Sequence, residues 1–198
     1  MNVKQKFLKR SFDLTLSMIG LLASLPIILI AWFVASVDTQ SNGFFVQQRV
    51  GKYGALFKIV KLKTMKEIVG INTSITASDD VRITKSGAFF RKTKIDELPQ
   101  LWNVLIGEMS FVGPRPDVPG YADQLQGDDR IILSLRPGIT GPASLKYKNE
   151  EAILAQQGNP KKYNDDVIWP DKVKINREYI ERYSVTLDFL YIWTTIVG

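Results

Sequence analysis

Two carboxylates stand side by side in the stretch RKTKIDELPQLWNVL, residues 91–105: Asp96 and Glu97, set among Arg91, Lys92 and Lys94 and just ahead of a helix-forming run. The 198-residue chain has no histidine and no cysteine, which excludes Ser-His triads, imidazole bases, thiol nucleophiles, thiolate zinc sites and disulfides. Chemistry must therefore run on carboxylates, lysine, arginine, hydroxyls or a bound hard metal. Adjacent side chains on a helix diverge, so the two acids are not placed to share a proton as a dyad does, but they can divide two jobs, one attacking and one holding a metal. A local alternative competes with this. Asp96 would simply cap a helix starting at Glu97, with Pro99 tolerated in the first turn and both charges favoured there.

Cations that could serve these acids recur in two stiff loops. In SFVGPRPDVPG, Pro114 and Pro116 restrict the backbone around Arg115 and favour a preset guanidinium fork, suited to bidentate phosphate contact. In LRPGITGP, Arg136 precedes Pro137 and Gly138 and repeats the device. With Arg91 and Lys61 these form a candidate binding set for a doubly charged phosphate substrate. The glycine-rich GxxxxGK[ST] cradle of P-loop enzymes is absent.

The elements that must position these residues follow a simple order. Residues 44–50 and 55–63 read as strands flanking the turn signal Gly51-Lys52-Tyr53-Gly54, hence a β-hairpin. Residues 67–80 read as a loop. Helices are expected over 82–93, 98–106 (stopped by Gly107), 121–135, 149–157 and 175–182, followed by an aromatic, apolar segment over 188–197. The two Pro/Gly stretches read as rigid loops rather than regular elements.

Ahead of all this lie 24 uncharged residues between Asp13 and Asp38, LTLSMIGLLASLPIILIAWFVASV. As a helix they would extend about 36 Å, enough to cross a bilayer and too long for the apolar core of a signal peptide. Pro26 removes a backbone donor and opposes the Leu22 carbonyl, so a bend is expected there, with Ser24 close enough to satisfy a freed carbonyl. The net charge of +6 is uneven: residues 1–66 carry ten Lys/Arg against two acids, and the remainder sixteen against eighteen. Basic residues flank the apolar segment on both sides, which points to an anionic membrane surface rather than nucleic acid. A helix that enters and turns back keeps both flanks inside; a Pro-kinked crossing helix is the alternative.

Five stretches make the chain resemble the bacterial sugar transferases of the monotopic polyprenyl-phosphate phosphoglycosyl transferase superfamily: KRSFDLTLS, FFVQQRVGKYGALFKIVKLKTM, RITKSGAFFRKTKIDELPQLWNVLIGEMSFVGPRP, LRPGITGP and RYSVTLDFLYIWTTI. The resemblance implies a mainly helical α+β fold. A re-entrant membrane helix-break-helix bent at Ser24 and Pro26 would occupy residues 1–40. A cytoplasmic, membrane-associated catalytic domain with a small hairpin and rigid Pro/Gly loops would fill 41–198 as one functional unit. It implies transfer of a phospho-sugar from a UDP-sugar to a polyprenyl phosphate, with release of UMP, at the cytoplasmic face of a bacterial inner membrane. It further implies Asp96 as nucleophile, Glu97 as ligand of Mg²⁺, and Arg91 and Arg115 near the nucleotide and phosphates. Membrane lipid is then a partner, nucleic acid is not, and a homodimer is an allowed assembly.

An inactive scaffold of the same fold and a membrane phosphohydrolase are the rival readings. Leu25, Leu62 and the PASLKYKNEE that follows RPGITG depart from the common family pattern.

Overall fold

The apolar segment forms the middle of one long helix. In the computed structural model, which describes residues 1–68 and 80–197, α1 runs from Val3 to Thr39 without interruption at Pro26, a length of about 55 Å at ~1.5 Å per residue. Its start is fixed by a capping box between Asn2 and Gln5. Ser24 does bond a backbone carbonyl, but that of Gly20 at 2.6 Å.

One face of α1 is buried along its whole length, at Lys9, Asp13, Ser17, Ser24, Ile28, Ala31, Ala35 and Thr39. Steps of three, four and seven residues are those of a single helical stripe. The other faces present Met18, Ile19, Leu22, Leu25, Ile27, Leu29, Ile30 and Phe33 to the outside. The helix is long and apolar enough to cross a membrane.

Both arms of α1 pack on the same body. On the early arm, Lys9 donates to Asp188 at 2.6 Å, and Asp188 also accepts from the Tyr179 and Tyr183 hydroxyls. Arg10 donates to the carbonyls of Val104 and Leu105 at 2.7 and 2.8 Å, and Asp13 accepts from Ser110 Oγ and Phe111 N. On the late arm, Ala31 and Ala35 pack with Leu62 and Phe90 in one buried cluster, and Ser86 donates to Asp38. Leu62 is thus core, whatever the family's usual residue there.

The hairpin forms as the turn chemistry predicts. β1 (Phe44–Val50) and β2 (Leu56–Leu62) pair antiparallel in the register Phe44↔Leu62 to Val50↔Leu56. Tyr53 and Gly54 take positive φ in the turn, the geometry that twists a hairpin closed. The free edge of β2 is served by a side chain: Asn103 Oδ1 accepts from Val60 N, and its Nδ2 donates to the Lys58 carbonyl at 2.7 Å.

α2 (Lys85–Thr93) starts three residues later than the 82–93 expected, because Thr84 accepts from Gly87 N and caps it. α3 (Gln100–Ile106) ends at Gly107, φ 90°, as expected.

The two Pro/Gly stretches are more regular than anticipated. β3 (Ser110–Val112) and β4 (Gly138–Thr140) pair in parallel, Ser110↔Gly138 and Val112↔Thr140. Glycine is required at this crossing: a Cβ on Gly138 would lie 2.2 Å from the Gly113 nitrogen.

Residues 121–135 are not one α-helix. They form two 3-10 stretches, Ala122–Gln124 and Gly127–Ser134, divided where Gly127 adopts φ 57°. Three helices follow, α4 (Pro142–Lys146), α5 (Glu150–Ala155) and α6 (Pro160–Tyr163). α7 (Trp169–Glu181) begins six residues before the expected 175, and α8 (Val185–Val197) completes the chain. The loop expected over 67–80 falls mostly on 69–79, outside the described residues. The main core gathers Val50, Val112, Ile132, Leu135, Val173 and Tyr179 between the 127–134 stretch, β3 and α7.

Candidate active site

The carboxylate pair sits at a sharp reversal. α2 ends on Lys94, which takes φ 58°, and a 3-10 turn over Ile95–Glu97 leads through Pro99 into α3. A left-handed conformation on a residue with a Cβ is held by its surroundings at a cost of ~1–3 kcal/mol. Here the Lys94 carbonyl accepts from Glu97 N at 3.1 Å, and that of Ile95 from Leu98 N at 3.1 Å. Neither the 3-10 turn nor α3 has a side-chain cap. The helix-cap reading of Asp96 therefore lacks the hydrogen bond it requires.

The two acids meet opposite electrostatic fates. Glu97 Oε1 accepts from Lys61 Nζ at 2.9 Å and from Arg115 Nη2 at 3.2 Å. Burial alone would raise the Glu97 carboxyl, yet Arg115, Lys61 and Lys94 outweigh it and hold the group far below the usual carboxylate range. Asp96 is only 8% exposed, and its Oδ1 is buried with no hydrogen-bond partner. Burial and the neighbouring Glu97 charge push its carboxyl up, against the pull of Lys61, Lys94 and Arg91. One acid is locked in a cationic clamp; the other is enclosed and uncommitted.

Three of the four candidate binding cations converge here. Lys61 and Arg115 contact Glu97 directly, and burial lowers the Lys61 ammonium against the pull of Glu97. Arg91 lies within electrostatic reach of Asp96 and donates to Glu151 Oε1 of α5 at 2.6 Å. Arg136 takes a different partner: its Nε donates to the Gly107 carbonyl at 2.6 Å, at the end of α3. The cause is the β3–β4 pairing, which packs the Gly113 and Arg136–Gly138 backbones together and leaves Arg136 to serve the orphan carbonyls of a helix terminus.

Several charged residues around the site were not singled out from sequence. Asp117, two residues past Arg115, is pushed up to about 6 by burial, against the pull of Lys172, Arg49 and Arg115. Lys172 is paired with Glu150 at 2.6 Å. Glu150 and Glu151 are adjacent in the sequence, and the fold pairs Glu151 with Arg91 and Glu150 with Lys172. Two clefts lined by Tyr121, Leu125, Asp129, Trp169 and Arg177 contain neither carboxylate.

The donor set suits a hard divalent cation. Both clamping cations fall on Glu97 Oε1, and the buried Asp96 Oδ1 lacks any partner. Among the described residues no cluster of three metal-ligating side chains occurs. A site of one or two carboxylates completed by substrate oxygens and water is the arrangement typical of Mg²⁺.

Comparison with known proteins gives a family match over nearly the whole chain. The family model described as bacterial sugar transferase matches residues 4–198. A Bacillus subtilis protein is 41% identical over 149 residues, covering 72% of this chain and 79% of its own length, and is provisionally described as an undecaprenyl-phosphate N-acetylgalactosaminyl 1-phosphate transferase. The undecaprenyl-phosphate galactose phosphotransferase of Salmonella typhimurium is 35% identical over 206 residues, 96% of this chain and 40% of that one. The UDP-galactose-lipid carrier transferase of Erwinia amylovora is 34% identical over 209 residues, again 96% of this chain and 40% of that one. The chain thus spans less than half the length of the last two relatives.

Proposed function

Because the chain belongs to the bacterial sugar transferase family, we propose that it is an enzyme that transfers a sugar 1-phosphate from a UDP-sugar to undecaprenyl phosphate, an opening step of polysaccharide synthesis. The relatives' names supply the carrier and the nucleotide sugar. The observation that carries the mechanism is the asymmetry of the acid pair: Glu97 clamped by Lys61 and Arg115, Asp96 buried with a free oxygen.

In this scheme an Asp96 carboxylate oxygen attacks the sugar-bearing phosphorus of the UDP-sugar. A P–O bond forms, the P–O bond to UMP breaks, and UMP departs with the bonding electrons. A phosphate oxygen of the polyprenyl phosphate then attacks the same phosphorus and releases Asp96, leaving a polyprenyl diphospho-sugar. No general base is needed to generate a carboxylate nucleophile. Arg115 and Arg91 are suited to the diphosphate oxygens, Arg115 through its fork, and Lys61 holds Glu97 in place. Glu97, with Asp96 beside it, would hold Mg²⁺, which supplies charge neutralisation at diphosphate oxygens. Arg136, engaged with Gly107, serves the site through the β3–β4 scaffold.

The topology follows the same reading. Residues 1–40 form a re-entrant membrane anchor and 41–198 a catalytic unit on the cytoplasmic face. Supporting this, Lys9, Arg10 and Asp13 before Pro26 and Ala31, Ala35 and Asp38 after it all pack on one body. A crossing helix would carry its two ends to opposite sides of the bilayer.

The test is UMP release from a panel of UDP-sugars with undecaprenyl phosphate in detergent or nanodiscs. A radiolabelled sugar phosphate trapped on the protein before acceptor is added is expected. Sugar phosphate freed into water at the same rate without acceptor would favour a phosphohydrolase instead.

A further inference from the structure

The end of β1 reaches the Pro-Arg-Pro loop through a residue for which the mechanism above has no use. Alternation along β1 puts Gln47 and Arg49 on one face, opposite Ile59 and Phe57 and next to Phe45, which faces Lys61. Arg49 Nη2 donates to Gln47 Oε1 at 2.6 Å, and Nη1 donates to the Pro116 carbonyl at 3.2 Å. Next to it, Val50 N donates to the Asp117 carbonyl at 2.9 Å.

The other side of the loop is held by the short parallel pair: Gly113 N donates to the Thr140 carbonyl at 3.0 Å and Gly138 N to the Pro114 carbonyl at 2.8 Å. Residues 113, 114, 116 and 117 are therefore all anchored, and Arg115 is the apex between them. Its side chain, 49% exposed, reaches Glu97 at 3.2 Å, long for a charge-assisted bond.

A neutral donor could staple the Pro116 carbonyl. The chain instead uses a guanidinium whose Nε is buried without a partner, and burial, then the like charge of Arg115, disfavour its cationic form while Asp117 favours it. The planar fork grips Gln47 and Pro116 at once, through separate nitrogens in fixed geometry. Its charge lies within electrostatic reach of Arg115, whose guanidinium rests on Glu97.

We propose that Arg49, oriented by Gln47, is a positioning residue that holds the Pro-Arg-Pro loop and directs Arg115 onto Glu97 and the substrate phosphates. This rests on the transferase reading of Arg115 and Glu97.

The test is a double-mutant cycle on kcat/KM for UMP release, paired with hydrogen exchange at Val50 N–H. Arg49→Met and Arg49→Lys are each expected to lower kcat/KM by roughly tenfold in the wild-type background and by less than twofold in an Arg115→Lys background, since coupled residues are not additive. A purely structural role would give the same loss in both backgrounds, and that result overturns the proposal. Val50 N–H is expected to exchange at least roughly tenfold faster in both Arg49 variants. Unchanged protection there overturns the proposal even if the wild-type protein releases no UMP, an outcome that would separately defeat the transferase reading. Should the Arg49 variants fail to fold, Gln47→Met removes the orienting acceptor without touching a charge. It is expected to show a smaller loss, again absent in the Arg115→Lys background, and an undiminished loss there counts against positioning.

Discussion

Replacing Asp96 by asparagine should make this protein more stable and catalytically dead. The side chain is 8% exposed, Oδ1 has no partner, and Glu97 places a second negative charge beside it. Burial and Glu97 outweigh the attraction of Lys61, Lys94 and Arg91, since the carboxyl is raised overall. A neutral isostere escapes the charge part of both penalties but still buries a polar amide. The cost of an unpartnered polar group is common to both side chains and only the excess borne by a charge is relieved, so Asp96→Asn should gain ~1 kcal/mol.

At ~2–4 °C per kcal/mol for a chain of this size, the thermal midpoint followed by circular dichroism in a fixed detergent should rise by roughly 2 to 4 °C. Turnover and the trapped phosphosugar adduct should both vanish, because an amide is a poor nucleophile toward phosphorus. A midpoint below wild type would refute the view that Asp96 is retained at a cost to stability. Full turnover would refute its role as nucleophile.

Other outcomes follow from the same structure. Asp117, raised from 3.8 to about 6 by burial, binds its proton more tightly folded than unfolded, so its contribution to stability is lost as pH rises from about 4 to about 6. Asp117→Asn should abolish that slope and stabilise the fold at pH 7 by up to ~3 kcal/mol, with no difference below pH 4; equal midpoints at pH 7.5 would contradict it. Lys9→Met strands the buried Asp188, whose side chain is 5% exposed, and should cost ~3–5 kcal/mol, partly recovered in Lys9→Met/Asp188→Asn; a wild-type midpoint for the single variant would show the pair to be dispensable. Single cysteines at Lys4 and Asn42, in a chain without native cysteine, should both resist an impermeant periplasmic reagent in intact cells; labelling of one alone would establish a crossing helix.

Much of the scaffold was legible because it is local. Turn residues at 51–54 dictate the hairpin, Gly107 ends α3, and 24 uncharged residues make a membrane-length helix regardless of what surrounds them. Elements that depend on distant partners were not. β3 and β4 are three residues each, too short for periodicity to register, and exist because two glycine-lined backbones can touch. Residues 121–135 carry a helix-like pattern, but Gly127 at φ 57° breaks it into 3-10 turns. Pro26 marks the expected bend, and the helical assignment runs through it from Val3 to Thr39, with residues on both sides of it packed on the body.

For the site, residue types alone confined the chemistry to carboxylates and cations, since histidine and cysteine are missing. They also singled out Asp96-Glu97 and the guanidinium at 115. Which cation meets which acid was decided only by the fold. Lys61 and Arg115 come to Glu97 from 36 residues before and 18 residues after it, Arg136 is drawn off to the end of α3, and Arg49 arrives behind Arg115 from 67 residues before its Pro116 contact. Side-chain character is a property of one position, whereas burial, pairing and the resulting split between a clamped Glu97 and a free Asp96 are properties of several chain segments brought together by packing.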